Sequence, residues 1–244
     1  MSIRAVLWDV DDTIFDYAGA DRAGMRAHLA AEGLDGLHGT VEDALRRWKE
    51  LTELYWRLYE NGIDGTGASW QDQRRHRVRA FLDRPALTDP EADAWFGRYV
   101  AHYEAAWELF PDALPVLDLL APDYRQAVLS NSSIHAQEPK LRALGVRDRF
   151  EAVLCAAELG SAKPAAEAFH AACAALGLEP HEVAYVGDRP DIDALGAQEA
   201  GLHGIWLDRA GTGERPGLRR ITDLHQLPPL LRGDTRFGAP TTFG

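Results

Sequence analysis

The chain has 244 residues and 46% hydrophobic side chains, enough for one large α/β domain or for a core with a smaller second domain. Its formal net charge of −12 argues against nucleic acid and anionic membrane surfaces as partners, because both attract basic proteins. No apolar run approaches the roughly 18 residues that a membrane span requires, and the N-terminus enters a predicted strand without a signal peptide, so a cytoplasmic location is expected.

The first predicted element is a buried strand over Ile3–Trp8, whose unbroken apolar run is typical of a parallel sheet. After Phe15 the pattern is helical as far as Phe110, and no strand is predicted in this stretch. A loop with several glycines interrupts it at 62–67. The predicted helices cover 16–31, 41–61 and 69–82, and a fourth starts at Asp89. This pattern indicates a helical domain inserted after the first strand.

The third of these helices carries a basic cluster that contrasts with the acidic chain. Its members are Arg74, Arg75, His76, Arg77 and Arg79. We interpret the cluster as the solvated face of a helix, with attraction of an anionic substrate as the alternative.

From Phe110 onward, short apolar runs alternate with helices. Strands are predicted over 126–130, 152–155, 183–186 and, as the last strand, 204–207. Helices are predicted over 112–120, 138–144, 164–176 and 191–200. Such alternation produces right-handed βαβ units and a parallel sheet. We therefore predict the α/β class, with a doubly wound parallel sheet and an inserted, small, all-helical domain.

Polar side chains stand where the predicted strands of this sheet end or its helices begin. They are Asp9, Asp11, Asp12 and Thr13 after the first strand, Ser130, Asn131 and Ser132 after the second, Lys163 before a helix, and Asp188, Asp191 and Asp193 after the fourth. The carboxyl ends of parallel strands share one edge of a sheet, so these groups can converge. Clustered carboxylates are costly unless a cation relieves their repulsion. Carboxylates, hydroxyls and one ammonium together suit the handling of a phosphoryl group.

In this order and spacing the motifs resemble those of the haloacid dehalogenase superfamily. The matching motifs are Asp9-Val10-Asp11-Asp12-Thr13, Ser130 after an apolar run, Lys163-Pro164, and Gly187-Asp188 with Asp191 and Asp193. The resemblance covers a catalytic core at 1–16 and 109–232, which the family builds as a Rossmann-like sheet. The helical insertion, 17–108, stands where the family places its small helical cap. The tail, 233–244, is expected to be flexible.

The resemblance implies a role for each matching residue. Asp9 would be the nucleophile that forms an aspartyl-phosphate, and Asp11 the general acid and base. Substrate binding would fall to Thr13, Ser130, Asn131 and Lys163. Mg²⁺ would be the cofactor, held by Asp9, the backbone carbonyl of Asp11, Asp188 and Asp193. Asp191 is the alternative to Asp193 as the second carboxylate of the metal shell.

Asp11 separates two activities of this superfamily. Members that cleave carbon–halogen bonds lack an acid two residues after the nucleophile, so its presence implies phosphate ester chemistry. We expect a Mg²⁺-dependent phosphatase of a small phosphorylated metabolite, either a nucleoside 5′-monophosphate or a sugar or organic acid phosphate. The segments Asp12–Tyr17 and Ile205–Arg209 resemble the branch that contains 5′-nucleotidases. The alternatives are a phosphomutase and a non-catalytic phospho-acceptor or binding module.

Overall fold

The chain divides into two compact units in a computed structural model that describes residues 2–61 and 70–233. One unit contains Met1–Tyr17 and Glu108–Gly244, and the other contains Ala18–Trp107. The predicted loop at 62–67 and the predicted flexible tail beyond 233 lie outside the described residues. Among the residues described, no helix has both the length and the apolar composition needed to cross a membrane.

The first unit is built on a six-stranded parallel sheet with the order β3-β2-β1-β4-β5-β6. Its strands are β1 (Ala5–Trp8), β2 (Arg125–Ser130), β3 (Val153–Cys155), β4 (Val183–Gly187), β5 (His203–Leu207) and β6 (Arg219–Ile221). The central strand β1 pairs on both sides, with Trp8 opposite Val128 of β2 and Val186 of β4. Chain order reverses at β1, because β2 and β3 lie on one side and β4 to β6 on the other. The prediction of a doubly wound parallel sheet is confirmed.

One strand of this sheet is missing from the sequence prediction, which ends at 204–207. Strand β6 extends the sheet by pairing Arg219 with Ile205 and Ile221 with Leu207. Its three residues include a single apolar side chain, so they lack the apolar run by which buried strands are recognised. As an edge strand, β6 needs to bury only Ile221, which is 1% exposed.

The second unit is helical throughout its described part. Its helices are α1 (Tyr17–Glu32), which begins at the last residue of the first unit, α2 (Val41–Asn61), α3 (Trp70–Leu82) and α4 (Asp89–Ala105). They enclose a core that includes the buried aromatic residues Trp48, Phe81 and Trp95. The indole nitrogen of Trp48 donates a hydrogen bond to buried Asp21 at 3.1 Å. Apolar burial of this kind stabilises the bundle more than helix propensity does.

The arginines of the basic cluster of α3 are partly buried and do not form a solvated face, contrary to the interpretation of the sequence, whereas His76 is exposed. Arg75 forms a forked contact with Asp93 at 2.9 and 2.6 Å, and Arg79 pairs with Asp89 at 2.5 Å. The guanidinium of Arg77 lies over the ring of Trp48, 4.3 Å from its centroid. Acids and aromatic rings of the same unit therefore neutralise or cover these charges.

The helices of the first unit connect the strands and cover the sheet. They are α5 (Ala113–Leu120), α6 (Ile134–Ala143), α7 (Ala156–Leu159), α8 (Ala166–Leu176), α9 (Gly196–Glu199) and α10 (Leu227–Leu231), with short 3-10 turns at Arg147–Arg149, Pro180–Glu182 and Leu224–Gln226. A π-helical turn, Pro190–Leu195, precedes α9, where a single helix over 191–200 is predicted. Helix α8 packs Phe169 against Tyr185 of β4, with ring centroids 5.1 Å apart.

Helix α6 begins about one turn earlier than predicted, at Ile134 instead of Glu138. Proline favours the first turn of a helix, so Pro139 suggests a start just before it. In the structure, Pro139 lies inside the helix. The additional turn brings Gln137 onto the same helix as Lys140.

Candidate active site

The loop after β1 places Asp9 and Asp11 at the carboxyl edge of the sheet. The Asp9 amide still donates to Val186 O at 2.9 Å, so the backbone of Asp9 continues the pairing with β4. A tight turn follows, in which Val10 O accepts hydrogen bonds from the amides of Ile14 and Phe15. This turn leaves Asp9 only 7% exposed. The backbone hydrogen bonds of the strand and of the turn therefore hold Asp9 in its buried position.

Lys163 lies in contact with Asp9 although 154 residues separate them. Its ammonium donates to Asp9 Oδ1 at 2.7 Å, to Asp193 Oδ1 at 2.8 Å and to the Tyr185 hydroxyl at 2.6 Å. All three donors of the ammonium are thereby used, and the side chain is 3% exposed. Burial alone would lower the pKa of Lys163, but Asp193 and Asp9 outweigh burial and raise it. The lysine is therefore a fixed positive charge.

The residues after β4 supply two further carboxylates. Asp193 is 1% exposed, and its Oδ2 accepts from the amide of Arg189 at 3.0 Å. A Cβ at Gly187 would lie 2.4 Å from the Asp193 carboxylate, so only glycine leaves room for it. Asp191, the alternative to Asp193, lies outside this cluster: its side chain is 68% exposed and pairs with Arg215 at 3.1 Å.

The cluster has the donor set and the charge of a divalent cation site. Oxygen atoms of Asp9, Asp188 and Asp193 all lie within 4.8 Å of one another. Three carboxylates around the Lys163 ammonium leave a formal charge of −2 when all are ionised. Burial, together with the neighbouring carboxylates, raises the pKa of Asp9 to about 7 and that of Asp188 to about 8. A hard cation such as Mg²⁺ would remove this repulsion, so the residues fit such an ion.

Asp11 lies at the same edge but has different partners. Its Oδ1 accepts from the ammonium of Lys140 at 2.5 Å, and its Oδ2 from the side-chain amide of Gln137 at 2.8 Å. Its side chain is 34% exposed, much more than that of Asp9. Asp9 therefore belongs to the buried cluster, whereas Asp11 presents a carboxylate that is held from one side and open on the other.

The three other predicted substrate-binding residues surround these acids. The Thr13 hydroxyl donates to Asp9 Oδ2 at 3.3 Å, and Ser130 Oγ accepts from Gln137 at 3.1 Å. The side-chain amide of Asn131 bonds both backbone groups of Lys163, at 2.8 Å each. Asn131 thus fixes the backbone from which the Lys163 side chain reaches the cluster.

The far end of the loop after β1 is fixed by Arg209, the last residue of the segment Ile205–Arg209 that the sequence singled out. Its guanidinium donates to Thr13 O at 2.8 Å and forms a bidentate pair with Asp112, at 2.9 Å for each bond. It also stacks on Phe110, 3.8 Å from the ring centroid. Charged groups with several partners of this kind restrain a loop more than a single exposed pair does.

Sequence patterns missed Lys140, Gln137 and Tyr185, because each lies inside a helix or strand and not at its end. One signal could have indicated Lys140. The chain has 26 basic residues, but only three of them are lysines: Lys49, Lys140 and Lys163. Lys49 is exposed, whereas the other two are buried at the site. In a chain that uses arginine elsewhere, a lysine in the core marks a position where a compact charge is needed.

Comparisons with known proteins identify the family of the chain. A family model for haloacid dehalogenase-like hydrolases matches residues 3–201. The phosphoserine phosphatase of Thermus thermophilus is 29% identical over 250 residues, a match that covers 96% of this chain and 97% of that protein.

Solved structures share the fold over nearly the whole chain. The hydrolase YfnB of Bacillus subtilis, solved with magnesium bound, gives a TM-score of 0.77 at 22% identity, and the match covers 95% of this chain and 99% of YfnB. A 2-haloacid dehalogenase of Pseudomonas syringae gives a TM-score of 0.66 at 26% identity, with 94% and 98% covered. Because the family model spans most of its length, this chain belongs to the haloacid dehalogenase-like hydrolases.

Proposed function

We propose that this protein, a phosphoric monoester hydrolase of the haloacid dehalogenase-like family, is a Mg²⁺-dependent phosphatase of a small phosphorylated metabolite. The observation that carries the proposal is the convergence of Asp9, Asp188, Asp193 and Lys163 at one sheet edge, with Asp11 two residues beyond Asp9. A nucleophile, a cation site and a proton carrier are thereby available within one short loop and its neighbours.

The reaction has two steps in this proposal. In the first, an Asp9 carboxylate oxygen attacks phosphorus, the ester P–O bond breaks, and Asp11 gives its proton to the departing oxygen. In the second, a water molecule attacks the aspartyl-phosphate and gives a proton to Asp11. The bond between phosphorus and Asp9 then breaks, free phosphate leaves, and both carboxyl groups return to their starting states.

Charge is balanced by groups that are already in place. Mg²⁺ would be held by Asp9, Asp188, Asp193 and the backbone carbonyl of Asp11. The ion would supply positive charge to the phosphoryl oxygens. Lys163, fixed by Asp193 and Asp9, supplies a further positive charge that needs no rearrangement during the reaction. Ser130 and Thr13 offer hydroxyls at the same edge, and Asn131 holds the Lys163 backbone.

The proposed substrate is a nucleoside 5′-monophosphate or a sugar or organic acid phosphate, with the 5′-nucleotidase-like branch as the finer assignment. Several curated relatives are phosphatases of small metabolites, which supports the class and not one member of it. We also propose that the helical unit is the family's cap domain and that the protein is cytoplasmic. The latter fits Cys155 and Cys173, which are buried, free thiols.

A substrate panel tests the proposal. The purified protein is incubated with nucleoside 5′-monophosphates, sugar phosphates, phosphoserine and phosphoglycolate, with Mg²⁺ or with EDTA, and free phosphate is measured. We expect Mg²⁺-dependent release from at least one compound class. An isomerised sugar phosphate without free phosphate would show a phosphomutase, and no turnover of any compound would favour a binding module. A rate unaffected by EDTA would contradict the metal assignment.

A further inference from the structure

Two side chains of α6 bind the buried side of the Asp11 carboxylate. Lys140 and Gln137 lie three residues apart, which places them on one face of the helix. The Lys140 ammonium binds Asp11 Oδ1 at 2.5 Å, and the Gln137 amide binds Asp11 Oδ2 at 2.8 Å. Both oxygen atoms of Asp11 are therefore bound, and the carboxylate plane is fixed.

Both supporting side chains are buried. Gln137 is fully buried, and its amide donates a second bond to Ser130 Oγ at 3.1 Å. The Lys140 side chain is only 6% exposed and lies over the ring of Phe15, 4.5 Å from the centroid. A charge buried to this degree needs a partner, because an unpaired ammonium in a protein interior is costly. Asp11 is that partner.

We propose that Lys140 and Gln137 are positioning residues for Asp11, which fix the proton carrier of the reaction in its working orientation. The inference rests on the proposed phosphatase function. It extends that function to two residues of α6, a helix that contains none of the four motifs recognised in the sequence. Through its second bond, Gln137 also couples the Asp11 carboxylate to the Ser130 hydroxyl, so that acid–base and phosphate-binding groups share one support.

The second step of the reaction should depend most on this support. An ester with a good leaving group, such as p-nitrophenyl phosphate, releases nitrophenolate without needing a proton, so formation of the aspartyl-phosphate does not require Asp11 as an acid. Hydrolysis of the aspartyl-phosphate still requires Asp11 to accept a proton from water. A misplaced Asp11 should therefore slow the second step and leave the first step fast.

The test is a rapid-mixing experiment with p-nitrophenyl phosphate and Mg²⁺ on the full chain. The variants are Lys140→Met, Lys140→Arg and, as a matched control, Lys49→Met, which removes an exposed lysine 72% accessible to solvent. For Lys140→Met we expect a burst of about one nitrophenolate per enzyme and a steady-state rate lower by about 100-fold. Lys140→Arg should recover part of the rate, and Lys49→Met should behave as the wild type.

Three results would separate this inference from the proposed function. A Lys140→Met enzyme with wild-type steady-state rate, or with burst and steady state reduced equally, would overturn the positioning role. A wild-type protein that releases no nitrophenolate and acts on no compound of the panel would instead refute the phosphatase function. Gln137→Met keeps the volume of the side chain and should produce a smaller burst effect in the same direction, which provides a second variant if Lys140→Met folds poorly.

Stability measurements give a readout that is independent of turnover. Urea unfolding midpoints are compared for Asp11→Asn, Lys140→Met and the double variant. We expect each single variant to lower the midpoint and the double variant to lower it by less than the sum, because it leaves no buried charge unpaired. Additive shifts would show that the two groups are not coupled and would overturn the inference.

Discussion

At the scale of single residues, the surroundings of Asp9 and Asp11 are what distinguish the two roles proposed for them. Two positions apart, they differ in burial and in their cationic partner: Lys163 for Asp9 and Lys140 for Asp11. Asp9 lies in the dense cluster where burial raises its pKa to about 7, so a cation is needed to keep it ionised near neutral pH. Asp11 stays partly open to solvent, which suits the proton-carrying role proposed for it.

Replacing Asp9 with Asn should abolish turnover, because an amide oxygen is a poor nucleophile and the variant also loses a metal ligand. We expect phosphate release to fall by about 10⁴-fold or more. The matched control is Asp12→Asn, three residues further along in the same loop, where φ is 59° and asparagine tolerates the left-handed backbone as well as aspartate does. Phosphate release by the control should stay within about threefold of wild type. Equal losses in the two variants would contradict the nucleophile assignment.

Which site residues could be predicted depends on where they lie in their elements. Asp9, Lys163, Asp188 and Asp193 stand beside strand or helix ends, and the parallel sheet brings such ends together, so their convergence follows from topology. Tyr185 lies inside β4, where a tyrosine is indistinguishable from an ordinary core residue. Its hydroxyl becomes part of the site only because Lys163 reaches it at 2.6 Å. Contacts between side chains of distant elements cannot be obtained from spacing along the chain.

At the scale of elements, the turn that carries Asp193 is held in place by close packing against β5. The carbonyl of Ala194 lies so near Gly204 that a Cβ there would approach its oxygen to 2.0 Å. The π-helical turn, Pro190–Leu195, can therefore rest on the strand only where that strand has no side chain. Turns of this type are frequent at functional sites, and here the turn carries a carboxylate of the cluster.

Gly204→Ala should destabilise the fold, since the added methyl group must displace backbone and not a flexible side chain. We expect a loss of about 2 kcal/mol in the free energy of unfolding, measured by urea titration. The increase in that free energy on addition of Mg²⁺ should also be smaller, because the turn carries Asp193. The control is Gly97→Ala in α4, where a Cβ would meet nothing within 4 Å. There alanine should be neutral or stabilising by up to about 1 kcal/mol. Similar effects of both variants would show that the close approach is not what constrains position 204.

A strand could be predicted where it contains a run of apolar residues. A strand that is fixed by contacts with distant residues could not. Strand β1 is recognisable from four consecutive apolar residues, all of them fully buried. Strand β6 contains two arginines, and its position is decided by pairing with β5 and by the contact of Arg220 with Asp208 at 2.8 Å. Neither interaction leaves a local signature in the sequence.

At the scale of the whole molecule, the acidic cluster links folding to pH and to metal. Carboxyl groups whose pKa is raised by folding, as for Asp9 and Asp188, bind protons more tightly in the folded than in the unfolded chain. Their contribution to stability is therefore fully present below the unfolded pKa of about 4 and is lost as the pH rises towards 7 and 8. A cation bound to the ionised carboxylates would restore that stability.

The stabilisation that Mg²⁺ confers should consequently grow with pH. We expect the difference in unfolding free energy between Mg²⁺ and EDTA solutions to increase from pH 5 to pH 8, by up to about 1.4 kcal/mol per pH unit for each proton displaced. Urea unfolding at fixed ionic strength measures this difference. Asp188→Asn should remove most of it, whereas Asp191→Asn, an exposed residue paired with Arg215, should leave it unchanged. A difference that does not vary with pH would contradict the assignment of the cluster as the cation site.

The scarcity of lysine gives this molecule a built-in chemical reporter. Amine-reactive reagents acylate accessible lysine side chains in their neutral, deprotonated form, and of the three lysines only Lys49 has its side chain largely in solvent. Mass spectrometry after brief acylation should therefore find label at Lys49 and almost none at Lys140 or Lys163 while the fold is intact. Label that appears at the two buried lysines would time the opening of the sheet edge around Asp9 and Asp11. The same two residues that place charge in the site thus allow its local unfolding to be followed without a substrate.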